Sequence, residues 1–275
     1  MENLHFTDES IAGLLTQSVL MMILPFVLLI IWKMKTHEKI LPVIVGAATW
    51  LLFAIILKLA PAYLLLNADN PVAKTISGNL WLTAVLSGVL AGLFEETGRF
   101  LAFRTVLKKY EYRRSSISYG IGHGGFESIY IGFQFLMFPL FGIMLNSGMS
   151  DQLTTGMDEA TKVLMAEQLA PYSDLSFAEC LLGVFERIPA IVMHISFSVL
   201  VFAAARDNKY TYLFLLSMLL HALVDFFAVV AGGINLNIWA TELIIAAFAA
   251  ALAYFASRVY KNLNGVASQA ASVRG

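Results

Sequence analysis

Cysteine is nearly absent, charge is scarce, and no basic leader opens the chain. Cys180 is the one cysteine among 275 residues, so an intramolecular disulfide and a CxxC metal site are both excluded. It reads as an ordinary small residue near a helix end. Charged residues make up 13% and hydrophobic ones 59%. A soluble domain carries roughly 25% charged and 45–50% apolar residues, so this chain has too little polar material to cover a water-facing surface. The first ten residues, MENLHFTDES, are acidic and lack a basic n-region. A cleaved signal peptide is therefore not expected, and the first apolar stretch should stay as an anchor. No Walker sequence is present. The Gly-Gly pairs at 124–125 and 232–233 read as packing or turn features rather than phosphate loops. No nucleic-acid partner is expected. Internal repeats and low-complexity runs are also missing.

What is present is a series of long apolar stretches. About 20 residues at 1.5 Å each cross a hydrocarbon core of roughly 30 Å. Seven stretches qualify, at 14–32, 41–66, 80–103, 117–145, 180–205, 210–230 and 238–257. Pro61 is placed to shorten the second. A break of the fourth at Pro139 would raise the number of spans to eight. The expected fold class is all-α, a polytopic transmembrane helical bundle. It forms one membrane domain over 1–275, with a catalytic four-helix core over 80–230 and an extracytoplasmic loop at 146–177. Residues 157–169 of that loop mix apolar Val163, Leu164 and Leu169 with charges, as a short surface helix would.

Basic residues set the orientation. Lys33, Lys35 and Lys39 follow span one. Arg104, Lys108, Lys109, Arg113 and Arg114 follow span three, and Arg206 and Lys209 follow span five. Arg258, Lys261 and Arg274 lie in the tail. The opposite loops carry Asp69, Asp151, Asp158, Glu159, Glu167 and Asp174 with few lysines. Lys and Arg favour the cytoplasmic side. The N-terminus is thus expected outside and the C-terminus in the cytoplasm of a multi-pass cell-membrane protein, with the plasma membrane of a bacterium as its expected location.

A charge at the centre of a span costs about 2.5–3.5 kcal/mol on insertion scales, so it persists when paired or functional. Glu95, Glu96 and Arg99 lie in span three. His123 and Glu127 lie in span four, Glu186, Arg187, His194 and Ser198 in span five, and His221 and Asp225 in span six. Lys58 and Glu242 are read as snorkelling near the ends of their own spans. Glu95 precedes Arg104 by nine residues and His123 follows Arg114 by nine. His194 precedes Arg206 by twelve, and His221 follows Lys209 by twelve. All four therefore fall roughly 14–18 Å from one membrane boundary. Scattered structural groups have no reason to align in depth, whereas one convergent site does.

Spacing within the helices adds pairs. Glu95 with Arg99, His123 with Glu127 and His221 with Asp225 are all i, i+4. Each carboxylate is expected to fix one ring nitrogen of its histidine and leave the other for substrate, water or metal. A single such pair is commonly structural, and Glu186–Arg187 lies nearer the outer side. Gly120, Gly122, Gly124 and Gly125 allow close helix approach around His123.

Peptide hydrolysis needs an activated water, an oxyanion stabiliser and a proton donor to the leaving amine. Glu95 or Glu96 is the candidate base, with His123 orienting the same water. Arg99 would hold one carboxylate charged, and His221 would serve as an oxyanion donor. GxSxG and GxGD motifs are missing, which leaves serine and two-aspartate proteases unsupported.

Glu95-Glu96-x-x-Arg99, Tyr119-x-x-x-His123 and His221-x-x-x-Asp225 resemble the motifs of the CAAX-prenyl-protease-like superfamily of glutamic-type intramembrane proteases. Within it, Phe94-Glu95-Glu96-x-x-Arg99, Gly122-His123-Gly124-Gly125-x-Glu127 and Glu186-Arg187 followed by His194 are most similar to the YhfC family. The likeness runs over residues 80–230. It implies an intramembrane peptidase acting on membrane-associated peptides, with no cofactor. Glu95, Glu96, Arg99, His123, His221 and Asp225 would be catalytic, and Glu127, Glu186, Arg187 and His194 supporting. The chain departs from the superfamily pattern in a first spacing one residue shorter and in a final Asp. The extra His194 and Glu127 make a zinc site of His123, His194 and His221 with a carboxylate conceivable, although HExxH is missing. A non-catalytic membrane scaffold, as in the scaffold subunit of gamma-secretase, and a proton-coupled transporter stay open beside hydrolysis.

Overall fold

The computed structural model describes residues 4–263, so Arg274 lies outside the described residues. Seven helices are long and apolar enough to cross a membrane: Asp8–Thr36, Leu41–Asn67, Leu80–Arg104, Arg114–Asn146, Phe177–Arg206, Asn208–Gly233 and Ile238–Asn262. No strand occurs among the described residues. The seven expected stretches each fall inside one of these helices. The first starts earlier than apolarity alone indicates, because Asp8 and Glu9 occupy its first turn, where acidic side chains favour the helix dipole.

Pro139 does not break the fourth span. The helix runs from Arg114 to Asn146 with Pro139 inside it. One missing backbone donor is a small loss in so long a ladder when lipid offers no competing hydrogen bonds. Pro61 likewise sits within the second span. That span departs from regular winding through π-helical segments at Leu51–Leu57 and Tyr63–Asn67. The loop holds helices Ser150–Leu153 and Glu159–Leu169, the latter capped by the Asp158 side chain, which accepts from the Thr161 N–H at 2.7 Å.

The described chain falls into two compact units. The first comprises residues up to Val27 together with Ser128–Ile188. Its core gathers Phe6, Leu14, Leu145, Leu169 and Cys180. The side chain of Asn146 bonds both backbone groups of Phe6, which ties the chain start to the end of the fourth span. The second unit comprises Leu28–Glu127 with the residues from Pro189 onward, and its core is centred on Phe103, Tyr119, Phe197, Leu200, Phe202 and Leu213.

Small residues set helix separation in the second unit. A Cβ on Gly122 would overlap the Val43 carbonyl oxygen, and one on Gly46 would overlap that of Tyr119. Spans two and four therefore touch backbone to backbone, as small residues permit in membranes. Gly88 and Gly92 do the same for span three against the Ala222 and Met218 carbonyls of span six. A Cβ on Gly124 would stand 2.9 Å from the His194 Cβ, so that glycine leaves the room the His194 ring occupies. These approaches draw the polar residues of spans three to six together.

Candidate metal and hydrolytic site

Glu95 is the point of convergence. Its Oε2 lies 3.2 Å from His123 Nε2 and 3.9 Å from His221 Nε2. Its Oε1 lies 3.8 Å from Lys58 Nζ. Three other helices thus address one carboxylate of span three. Glu95, His123, His194 and His221 are all buried.

Glu96, the next residue, is differently employed. Its Oε2 meets Arg99 Nε at 3.0 Å, and its Oε1 accepts from Arg99 Nη2 at 3.3 Å. The same Oε1 stands 2.7 Å from His221 Nδ1. Arg99 is completely enclosed and also donates to the His194 carbonyl at 2.8 Å and to Ser198 Oγ at 2.5 Å. A buried charge needs a counter-charge and partners for its donors; Glu96 supplies the first, and Ser198 and the His194 carbonyl take Nη1.

Hydrogen-bond logic assigns the histidine tautomers. Arg99 Nη2 stands 3.3 Å from His194 Nδ1, and a guanidinium can only donate. His194 Nδ1 therefore accepts, and Nε2 carries the proton that reaches Glu127 Oε2 at 2.7 Å. Glu127 is held in turn by the indole N–H of Trp50 at 3.1 Å. His221 is the opposite case. Its Nδ1–H points at the Glu96 carboxylate, and its Nε2 faces Glu95 Oε2 at 3.9 Å. A proton on Nε2 or a cation between the two groups would join them. His221 also stacks on Phe197, with ring centroids 5.1 Å apart.

The expected intrahelical pairs give way to pairs between helices. His123 turns to Glu95 rather than Glu127, and Glu127 serves His194 instead. His221 is fixed by Glu96; no hydrogen bond or ion pair joins it to Asp225 among the described residues. Arg99 pairs with Glu96 at i+3 rather than Glu95 at i+4. An i, i+4 spacing gives proximity, but a buried ring takes whichever carboxylate the packing aims at it. Glu186 and Arg187 belong to the first unit and pair with each other there. Lys58, read as snorkelling, and Trp50, not singled out, both reach the site. The signal for Lys58 was a lone charge in an otherwise apolar span.

Glu95, His123 and His194 each offer one ligand atom, and these atoms lie within 4.8 Å of one another. Two imidazoles and a carboxylate suit a divalent ion such as zinc, and three protein ligands leave a position open for water. His123 Nδ1 is buried and makes no hydrogen bond among the described residues. The donors therefore fit an ion. Ligating through Nδ1, His194 would exchange Arg99 for the ion and keep Glu127 on its Nε2–H. This set keeps His123, His194 and a carboxylate, Glu95, of the site expected from the sequence, but does not include His221.

A family model described as YhfC intramembrane metalloprotease matches residues 20–245, a stretch that contains every residue of this site. The chain belongs to the YhfC family. A protein of Bacillus subtilis (strain 168) described as "Uncharacterized membrane protein YhfC" is 31% identical over 261 residues, covering 93% of this chain and 99% of that protein. No solved structure matches. With its seven apolar helices, this YhfC-family chain is a multi-pass membrane protein, and the plasma membrane of a bacterium fits its relative.

Proposed function

We propose that the chain is an intramembrane metallopeptidase hydrolysing peptide bonds of membrane-associated substrates. The observation that carries this is the convergence of Glu95, His123 and His194 ligand atoms within 4.8 Å, buried inside membrane helices. The family description supports it. Glu95, His123 and His194 would hold the ion. Bound there, it would polarise the scissile carbonyl and make a water acidic near neutral pH.

The remaining roles belong to the chain itself. Arg99 neutralises Glu96, and Glu96 orients His221 so that its Nε2 faces Glu95. His221 Nε2 is placed to take the proton of a water between the two groups and to return it to the leaving amine. Glu127, steadied by Trp50, fixes the His194 ring. The burial of Glu95, His123, His194 and His221 strengthens the charge interactions among them. Asp225 and the Glu186–Arg187 pair support the surrounding helices in this reading.

A second reading is favoured by one distance. Glu95 Oε2 and His123 Nε2 are already 3.2 Å apart, close enough to share a hydrogen bond and activate water together without an ion. Elemental analysis of purified protein separates the two. The metal reading expects one divalent ion per chain and loss of cleavage on chelation, with recovery on zinc addition. Under both readings Glu95→Gln and His123→Ala should lower cleavage of a membrane-anchored peptide by a factor of about 10²–10⁴ while the protein stays folded. Full turnover in those variants would show that cleavage does not run through this site, and a wild type that cleaves no such peptide would leave a scaffold or transporter role instead.

A further inference from the structure

Lys58 is the sole charged residue of the second span, Leu41–Asn67. It follows directly on the π-helical segment Leu51–Leu57. A π-turn winds wider than an α-turn and turns the residues after it onto another face; such turns occur often at functional sites. Here the residue so turned is the lysine that meets Glu95. The two oxygens of Glu95 are divided: Oε2 serves the histidines and Oε1 serves Lys58 at 3.8 Å.

The two cations of the site differ in freedom. Arg99 is enclosed and bonded on every side described above, whereas the Lys58 side chain is 27% exposed. Its contact with Glu95 is longer than a hydrogen bond, and its four-carbon stem can swing. A divalent ion on Glu95 would stand close to this ammonium. Like charges a few ångströms apart in a poorly solvated site repel strongly. Lys58 at its present distance therefore opposes an ion on Glu95.

We propose that Lys58 is the resident counter-cation of Glu95, which leaves the carboxylate as a divalent ion enters and returns as it departs. This rests on the metal reading above. Its consequence is that Lys58 lowers the affinity of the site: it keeps Glu95 compensated in the metal-free protein, and every loading event must displace it.

The test is zinc binding to purified full-length protein in detergent, by isothermal titration with a competing chelator, for the wild type, Lys58→Met and Lys58→Arg. Lys58→Met should bind zinc about tenfold or more tightly, because the displaced charge is gone. Lys58→Arg should stay within a few-fold of wild type. Equal affinity of the wild type and Lys58→Met, or weaker binding by Lys58→Met, overturns the proposal while leaving the metal site standing. Failure of both proteins to bind zinc overturns the metal reading and this role together. A measurement on the wild type covers the case where the variant does not fold. Labelling of Lys58 by an amine-reactive reagent, read by mass spectrometry, should rise on zinc addition, and an unchanged yield in zinc-bound protein counts against displacement.

Discussion

Glu96 and Arg99 form an ion pair one helical turn apart with both side chains fully enclosed, Arg99 Nε standing 3.0 Å from Glu96 Oε2. The pair is the floor of the site. Through Glu96 it aims His221, and through Ser198 and the His194 carbonyl it anchors span five to span three.

Removing one partner leaves the other charge buried and unpaired, which typically costs about 3–5 kcal/mol. Arg99→Met should therefore unfold at clearly lower temperature in detergent, whereas Arg99→Met combined with Glu96→Gln should recover part of that loss. A double variant as unstable as the sum of both singles would show that the pair is not coupled.

Glu127 accepts from His194 Nε2–H and so would act on the candidate ion through that ring. Loss of a carboxylate that orients a ligating histidine weakens metal affinity by about 10–100-fold. Glu127→Ala is expected to show that drop in zinc titrations, with Glu127→Gln less affected because it can still accept from His194 Nε2–H. Unchanged zinc affinity in Glu127→Ala would show that Glu127 does not position a ligating His194.

Gly122 is a packing position with no room for a side chain, since a Cβ there would strike the Val43 carbonyl. Gly122→Ala should destabilise by about 1–3 kcal/mol, the usual result of overpacking. Gly232, which has nothing within 4 Å of an added Cβ, provides the control. Thermal melts of Gly122→Ala and Gly232→Ala should differ clearly; equal melts would mean that spans two and four are not in backbone contact.

Outside the membrane, the Thr161 backbone N–H bonded to Asp158 holds that carboxyl below its usual range. A folded pKa below the unfolded one means that the cap stabilises above the ordinary aspartate value. That contribution is lost as pH falls through the lowered folded value. Hydrogen exchange of the first turn of Glu159–Leu169 should accordingly rise at acid pH relative to the rest of that helix. Asp158→Ala should show the raised level already at neutral pH.

Much of the site was legible without coordinates. The depth alignment of Glu95, His123, His194 and His221 came from counting residues to the basic ends of their spans, which works because helical rise is constant. Partner choice was not legible. The i, i+4 rule suggested His123–Glu127 and His221–Asp225, yet the rings turned to Glu95 and Glu96 on another helix. Lys58 was misplaced for a related reason: the π-turn before it changes the face on which it emerges, and apolar residues carry no mark of such a turn.

The amino-acid sequence by itself determined that this is a seven-span helical membrane protein and which residue types lie buried in spans three to six. Lipid offers no hydrogen bonds, so twenty apolar residues have one spanning solution, and a charge among them must find a partner. Only the tertiary structure decided that Glu95 meets His123 and the Nε2 side of His221 while Glu96 holds Arg99 and the Nδ1 side of His221, and that Lys58 belongs to the site. Those outcomes depend on how closely glycine lets each pair of helices approach and on how each helix is rotated about its axis. Both are settled by packing across the whole bundle rather than by any one segment.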